Sequence, residues 1–245
     1  MSGYAYLRIN ALSRAKGHNL FAALAYRLGQ CLVDLNTGVS YDYSRKGGVL
    51  YRDYFLPKKA KYDSLEELLT DAERSETRIN SRIGRELVVG VPFDLKKDDQ
   101  IKLVREFSWK LVERYRCGVI TALQEPCWTS DQRNIHAYII LTEREINEDG
   151  HLGAKIRQLD KKGEVDEIKK LWEEVANKYL HEERQIKFES NLEKGKYPSK
   201  HFSRAAWHIE RRTGQKSFER QRYDEEIAEW QEEVARIKAE AKVQE

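Results

Sequence analysis

Two apolar runs, Val119-Ile120-Thr121-Ala122-Leu123 and Ile135 to Leu141, flank a polar insert containing Pro126, Ser130 and Asp131. This pattern predicts a β-hairpin with a long loop. Side chains two apart on a strand share a face, so His136 and Tyr138 point one way and Ala137 the other. Gln124 and Glu125 end the neighbouring strand close by. Alternation marks further extended runs at Tyr4 to Ile9, Val49 to Leu56 (stopped by Pro57) and Arg82 to Val91 (closed by Pro92). Gln30 to Leu35 and Val39 to Ser44 read as a second hairpin turning at Asn36-Thr37-Gly38.

Helical spacing fills the gaps. Asn19 is placed to cap a small, Ala-rich helix through Leu20 to Arg27, with Gly29 at its end and Tyr26 and Arg27 in its last turn. Ser64 and Glu67 form a capping box opening a helix from Leu65 to roughly Ser81. Asp98 starts an amphipathic helix carrying Ile101, Val104, Phe107, Leu111 and Val112. Residues 147–164 read as polar loop. A helix then carries Val165, Ile168, Leu171, Trp172, Val175 and Leu180, and Glu193 to His201 reads as a basic, aromatic-containing loop. A helix beyond Arg204 reaches Arg212, Gly214 interrupts it, and Ser217 onward is a strongly charged helix. The order predicts an α+β fold, a largely antiparallel central sheet with helices packed on one face. Residues 1–214 form the expected main domain, and 215–245 a charged helical extension or connector.

With 245 residues and 40% hydrophobic content the chain can bury a sizeable core. A net charge of +3 is too weak by itself to indicate a nucleic-acid partner. Cys31, Cys117 and Cys127 form no CxxC and leave one thiol over in any pairing, which fits a reducing compartment. The absence of a signal-type apolar segment and of any membrane-length run points to a soluble, cytoplasmic protein without membrane insertion.

Candidate chemistry gathers in two places. Tyr41, Tyr43, Tyr51 and Tyr54 interleave with Arg45, Lys46 and Arg52, the mixture a single-strand groove uses to stack bases and neutralise phosphates. Tyrosines are also ordinary strand residues. Polar groups on adjacent strand ends, as at Gln124 and His136, can hold a metal ion against a phosphate, although a lone His on a strand also reads as a satisfied half-buried residue. Read alone, Tyr26 is a core aromatic of its helix, and Glu86 a surface residue paired with Arg82 or Arg85.

An ordered set of segments carries a resemblance. It runs from Ser13-Arg14-Ala15-Lys16-Gly17 to Ala22-Ala23-Leu24-Ala25-Tyr26-Arg27-Leu28-Gly29, then Tyr41-Asp42-Tyr43-Ser44-Arg45-Lys46-Gly47-Gly48-Val49. It continues through Arg85-Glu86-Leu87-Val88-Val89-Gly90-Val91-Pro92, Asn134-Ile135-His136-Ala137, Leu141-Thr142-Glu143-Arg144, Lys200-His201-Phe202 and Ile209-Glu210-Arg211-Arg212. In this order the chain resembles the MobA/MobL family of conjugative relaxases, within the endonuclease superfamily named for a His-hydrophobe-His metal motif. The resemblance implies tyrosine attack on single-stranded origin-of-transfer DNA, leaving a 5′-phosphotyrosyl link and a free 3′-hydroxyl. Its nucleophile falls on Tyr26.

The family places three histidines on a metal, and here only His136 remains. Gln124 stands at the first ligand position and Tyr138 at the third, where it fills the place or serves as an accessory phenol; two other family histidines read Tyr6 and Phe188. Glu86 matches the acidic residue near the site and is the expected catalytic base or supporting carboxylate; with His136 and Gln124, the expected metal contacts, it could also make an oxygen-rich set for Mg²⁺ or Mn²⁺. Arg27, Tyr43, Arg45, Lys46, Arg82 and Arg85 are the expected DNA contacts. Accessory mobilisation proteins and a coupling protein are the implied partners. The alternative is a non-catalytic origin-DNA-binding protein that keeps the fold.

Overall fold

The computed structural model describes residues 5–161, 163–188 and 202–243, with side chains through residue 236. The chain divides into two compact units, Met1–Phe188 and Glu189–Glu245. In the first, the strands are β1 (Leu7–Ser13), β2 (Cys31–Val33), β3 (Ser40–Asp42), β4 (Val49–Phe55), β5 (Arg82–Gly90), β6 (Cys117–Gln124), β7 (His136–Ile146) and β8 (Leu152–Lys155). The helices are α1 (Leu20–Leu28), α2 (Leu65–Arg74), α3 (Lys97–Tyr115) and α4 (Glu164–Asn177). The main sheet runs β1-β5-β7-β6-β4, every neighbour antiparallel, with β8 paired to the far end of β7. The fold is α+β, as the alternation of patterns predicts.

β6 is buried along its whole length, as expected of a central strand covered on both sides. The expectation of helices on one face is corrected here. α3 and α4 cover the face presenting Leu87, Val89, Val119, Leu123, Ala137 and Ile139. α1 and α2 cover the opposite face at Leu12, Ile83, Ile120, Ala122 and Ile140. Strand alternation supplies apolar side chains to both faces, and neither set is left to water.

The capping residues act as their chemistry requires. Asn19 Oδ1 accepts the Ala22 N–H, and Gly29 ends α1 in the left-handed region at φ 59°. Ser64 Oγ accepts the Glu67 N–H, while the Glu67 carboxylate accepts the N–H of Asp63. α2 stops at Arg74, short of the predicted Ser81. The Arg14 guanidinium donates to the carbonyls of Glu73 and Glu76, and Arg144 donates to that of Ser75, so long-range cations take up carbonyls at and just past the helix end where another helical turn would otherwise do so.

Three further predictions shift. β1 begins later than the Tyr4–Ile9 run. β2 and β3 form the predicted hairpin but stand as a separate two-stranded sheet, and β4 joins the main sheet beside β6. The polar stretch after Asn147 holds the short strand β8, whose pairing to β7 gave no apolar signal.

The second unit holds α5 (Arg204–Thr213) and α6 (Phe218–Val243). The two helices are stitched by Glu210, which accepts from Ser217 Oγ and pairs with Arg220, and by Ser203 Oγ donating to Glu219. The predicted basic loop Glu193 to His201 lies outside the described residues. Among the described residues no helix is long and apolar enough to cross a membrane.

Candidate nucleic-acid active site

The site lies on the α1 face of the sheet, and strand register builds it. His136 sits opposite Gln124 of β6 on one side and Gly90 of β5 on the other, while Tyr138 lies between Ala122 and Val88. Glu86 shares this face two pairs along β5 and stands opposite Asn10 of β1. α1 lies across the face with Leu20, Phe21, Leu24, Ala25 and Leu28 buried, which turns Tyr26 outward at 48% exposure.

Lys46 joins the helix to the sheet. Its ammonium donates to the Tyr26 carbonyl at 2.8 Å and to Gln124 Oε1 at 3.2 Å, and it lies 4.0 Å from the centre of the Tyr26 ring. Burial, and then the neighbouring Arg27 charge, hold its pKa below the ordinary lysine value. Tyr43 meets the Tyr26 ring edge-on at 5.4 Å. Gly29 has no Cβ where one would lie 3.0 Å from Val49 Cγ2 and 3.2 Å from the Lys46 carbonyl, so the helix end and the Lys46 loop approach closely.

Arg27 turns inward. Its guanidinium pairs with the buried Glu86 carboxylate and covers the Tyr138 ring at 5.2 Å, and Asn10 Nδ2 donates to Glu86 at 3.4 Å. Glu86 is therefore neither a surface residue nor a partner of Arg82 and Arg85. The amide of Gln124 donates to the Arg27 carbonyl. His136 Nδ1 lies 3.0 Å from the Asn134 carbonyl. A carbonyl only accepts, so Nδ1 is the donor in this contact, which leaves Nε2 facing away from it. Tyr138 meets the imidazole edge-on at 5.1 Å, and its phenol is pushed above its ordinary pKa, burial being the main cause. It stays protonated at neutral pH.

Of the sequence candidates, Tyr26, Arg27, Tyr43, Lys46, Glu86, Gln124, His136 and Tyr138 come together. Arg45 is exposed on the same loop; hydrogen bonds from Ser44, and then the Arg45 charge, hold the Asp42 carboxyl below its usual range. Arg82 and Arg85 do not reach the cluster. Both are tied to Glu143 and Asp160, and the Arg85 side chain is 11% exposed. Phe188 packs against the opposite core. Asn10 and the Asn134 carbonyl escape the sequence reading, because a single Asn beside a strand carries no periodic signal. Beside Lys46 opens a cleft of about 500 Å³ lined by Cys31, Ser44, Gly47, Gly48, Tyr51 and Arg52 among others.

A divalent ion would need lone pairs from His136, Gln124 and Glu86 at one point. The carboxylate of Glu86 is held by Arg27 and Asn10, and Oε1 of Gln124 is held by an ammonium. Two cations border the place, and among the described residues no three His, Cys, Asp or Glu side chains group as metal ligands. As placed, these residues do not fit the ion that the resemblance implies.

The fold and sequence have counterparts. The chain is 29% identical over 258 residues to mobilization protein MobL of Acidithiobacillus ferridurans, covering 91% of this chain and 68% of that protein. It is 26% identical to the probable mobilization protein MobA of Bifidobacterium longum, covering 65% of this chain and 29% of that protein, so this chain spans under a third of that relative. A protein solved in a study of the molecular basis of vancomycin resistance transfer in Staphylococcus aureus shares the fold with a TM-score of 0.68 at 24% identity, over 77% of this chain and all of that one. The MobA/MobL family model matches residues 19–226, from the cap of the Tyr26 helix through the His136 strand and into α6, and the chain belongs to the MobA/MobL family.

Proposed function

We propose that this chain is the nicking unit of a relaxase, a DNA strand transferase that acts on single-stranded origin-of-transfer DNA through Tyr26. The observation that carries the reading is the position of Tyr26: a half-exposed phenol held at a helix end by a lysine, directly above a sheet face that collects His136, Gln124, Glu86 and Arg27. A tyrosine placed there only for packing would be turned inward with Phe21 and Leu24. Relatives named as mobilization proteins support the same reading.

In the proposed step the Tyr26 oxygen bonds to phosphorus as the bond from phosphorus to the 3′-oxygen breaks. The phenol proton leaves to solvent, which reaches the half-exposed ring, and the 3′-oxygen takes a proton from solvent. The product is a 5′-phosphotyrosyl link with a free 3′-hydroxyl. A phenol with an ordinary pKa near 10 is a poor nucleophile at neutral pH, so positioning and charge neutralisation must supply the rate. Arg45 and Lys46 offer cations to the DNA backbone, and Tyr43 offers a ring for stacking. Glu86 acts on Arg27, fixing the last turn of α1 and thereby the direction of Tyr26. His136, its ring oriented by the Nδ1 contact to the Asn134 carbonyl, presents Nε2 for a hydrogen bond beside the reacting groups.

The test is a denaturing gel of the protein incubated with end-labelled single-stranded DNA from the transfer origin of the element that encodes it. A covalent adduct that disappears in Tyr26→Phe is expected. An adduct that persists in Tyr26→Phe refutes the assignment of the nucleophile. Tight binding with neither product nor adduct would leave a non-catalytic origin-binding protein.

A further inference from the structure

The geometry points to Lys46 as the cation that binds the scissile phosphate, in place of a divalent metal, so that the reaction proceeds without one. This rests on the nicking reading above. Gln124 is engaged at both ends of its side chain. Its Oε1, the only atom of the side chain able to ligate a metal, accepts from Lys46 at 3.2 Å, and its Nε2 donates to the Arg27 carbonyl, so both ends of the amide are held in place. A divalent cation set against Oε1 would lie beside an ammonium ion, like charge against like, with Arg27 as a second repelling charge. Glu86 cannot offset this, because its carboxylate is already neutralised by Arg27.

The same contacts equip Lys46 for the task. Two of its three N–H donors are fixed, on the Tyr26 carbonyl and on Gln124, and the third has no protein acceptor among the described residues. The ammonium stands 4.0 Å from the Tyr26 ring centre, so a phosphate approached by the phenol lies within the field of this charge. A metal in such a reaction neutralises the non-bridging phosphate oxygens and orients the substrate. A lysine held from two sides supplies a fixed single charge for both purposes, with no ligand set to assemble. Tyr138, protonated and seated between Arg27 and His136, is suited to packing there and unsuited to anionic ligation.

Four measurements on the full chain test this. First, adduct formation is compared after exhaustive dialysis against EDTA and with added Mg²⁺ or Mn²⁺. Equal rates within about twofold are expected, and a rate that appears only with a divalent ion overturns the inference while leaving the nicking reading intact. Second, Lys46→Met is expected to lose about 10²–10³-fold in rate, the usual effect of removing one preorganised donor from a transition state, with Lys46→Arg recovering a substantial part. A Lys46→Met protein that is folded and nicks at the native rate overturns it. Third, single-stranded DNA binding is followed against salt in a Tyr26→Phe background, where no chemistry interferes. Loss of Lys46 should lower the log–log slope by about 0.7, the contribution of one phosphate contact on a single strand. An unchanged slope overturns the inference whether or not the protein nicks, as does stoichiometric Mn²⁺ binding in calorimetry that is lost in His136→Ala. If the native chain forms no adduct under any condition, the nicking reading itself fails, an outcome distinct from metal dependence.

Discussion

Replacing Gly29 by alanine tests how tightly the Tyr26 helix end is pressed against the Lys46 loop, and Gly17 is its internal control. Both glycines follow a helical segment at positive φ, 59° for Gly29 and 71° for Gly17, so an alanine at either meets the same left-handed strain, about 1 kcal/mol. Their surroundings differ. A Cβ at Gly17 meets nothing within 4 Å, whereas at Gly29 it would lie 3.0 Å from Val49 Cγ2 and 3.2 Å from the Lys46 carbonyl oxygen. Val49 is half-buried at the cleft and can yield in part, whereas the Lys46 oxygen is backbone and cannot rotate away. Overpacking of this kind adds about 1–3 kcal/mol. Gly17→Ala should therefore cost about 1 kcal/mol and Gly29→Ala about 2–4 kcal/mol. For a chain of this size each kcal/mol lowers Tm by about 2–4 °C. Thermal unfolding by circular dichroism, with the two variants side by side, reads the difference. Because one of the two crowded atoms is the Lys46 carbonyl oxygen, Gly29→Ala should also weaken single-stranded DNA binding at temperatures where it is fully folded, and Gly17→Ala should not. If the two variants unfold at the same temperature and bind DNA alike, the end of α1 is not pressed against the Lys46 loop, and Lys46 is not held against Tyr26 by that approach.

Glu86→Ala removes the carboxylate that neutralises Arg27 inside the fold. Breaking a buried pair from one side costs about 3–5 kcal/mol, less here because Arg27 keeps 21% exposure, so a loss of about 2–3 kcal/mol in chemical denaturation is expected, and a change under 0.5 kcal/mol would contradict the pairing. Acid stability should depend on Glu164. Burial pushes its carboxyl up, but hydrogen bonds from Tyr115 and Arg114 outweigh burial and hold it below the ordinary value. A depressed folded pKa gives stability that is full above the unfolded value near 4.3 and is lost as pH falls through the folded one. The Tm of the native chain should thus fall on acidification below about pH 4, and Glu164→Gln should flatten that limb while lowering Tm at pH 7; parallel curves for the two proteins would rule this out.

The sequence alone determined whatever depends on neighbours along the chain. Asn19 and Gly29 bracket α1 because capping is a contact across three or four residues, and the period of two along Ile135 to Leu141 placed His136 and Tyr138 on one face before any strand was paired. Family resemblance could be read because its motifs are short and local. The folded structure decided everything that joins distant residues. Arg27 meets Glu86 across 59 positions and Lys46 meets Gln124 across 78, and no periodicity in either segment encodes those partners. Alternation in a strand shows that two faces exist, but not that α1 with α2 takes one and α3 with α4 the other. The same blindness put Arg82 and Arg85 at the site in the sequence reading, when Glu143 and Asp160 hold them elsewhere. Charge is visible in sequence; whether a buried counter-charge already neutralises it is a property of packing, because desolvation makes pairing compulsory only once the chain has closed around it.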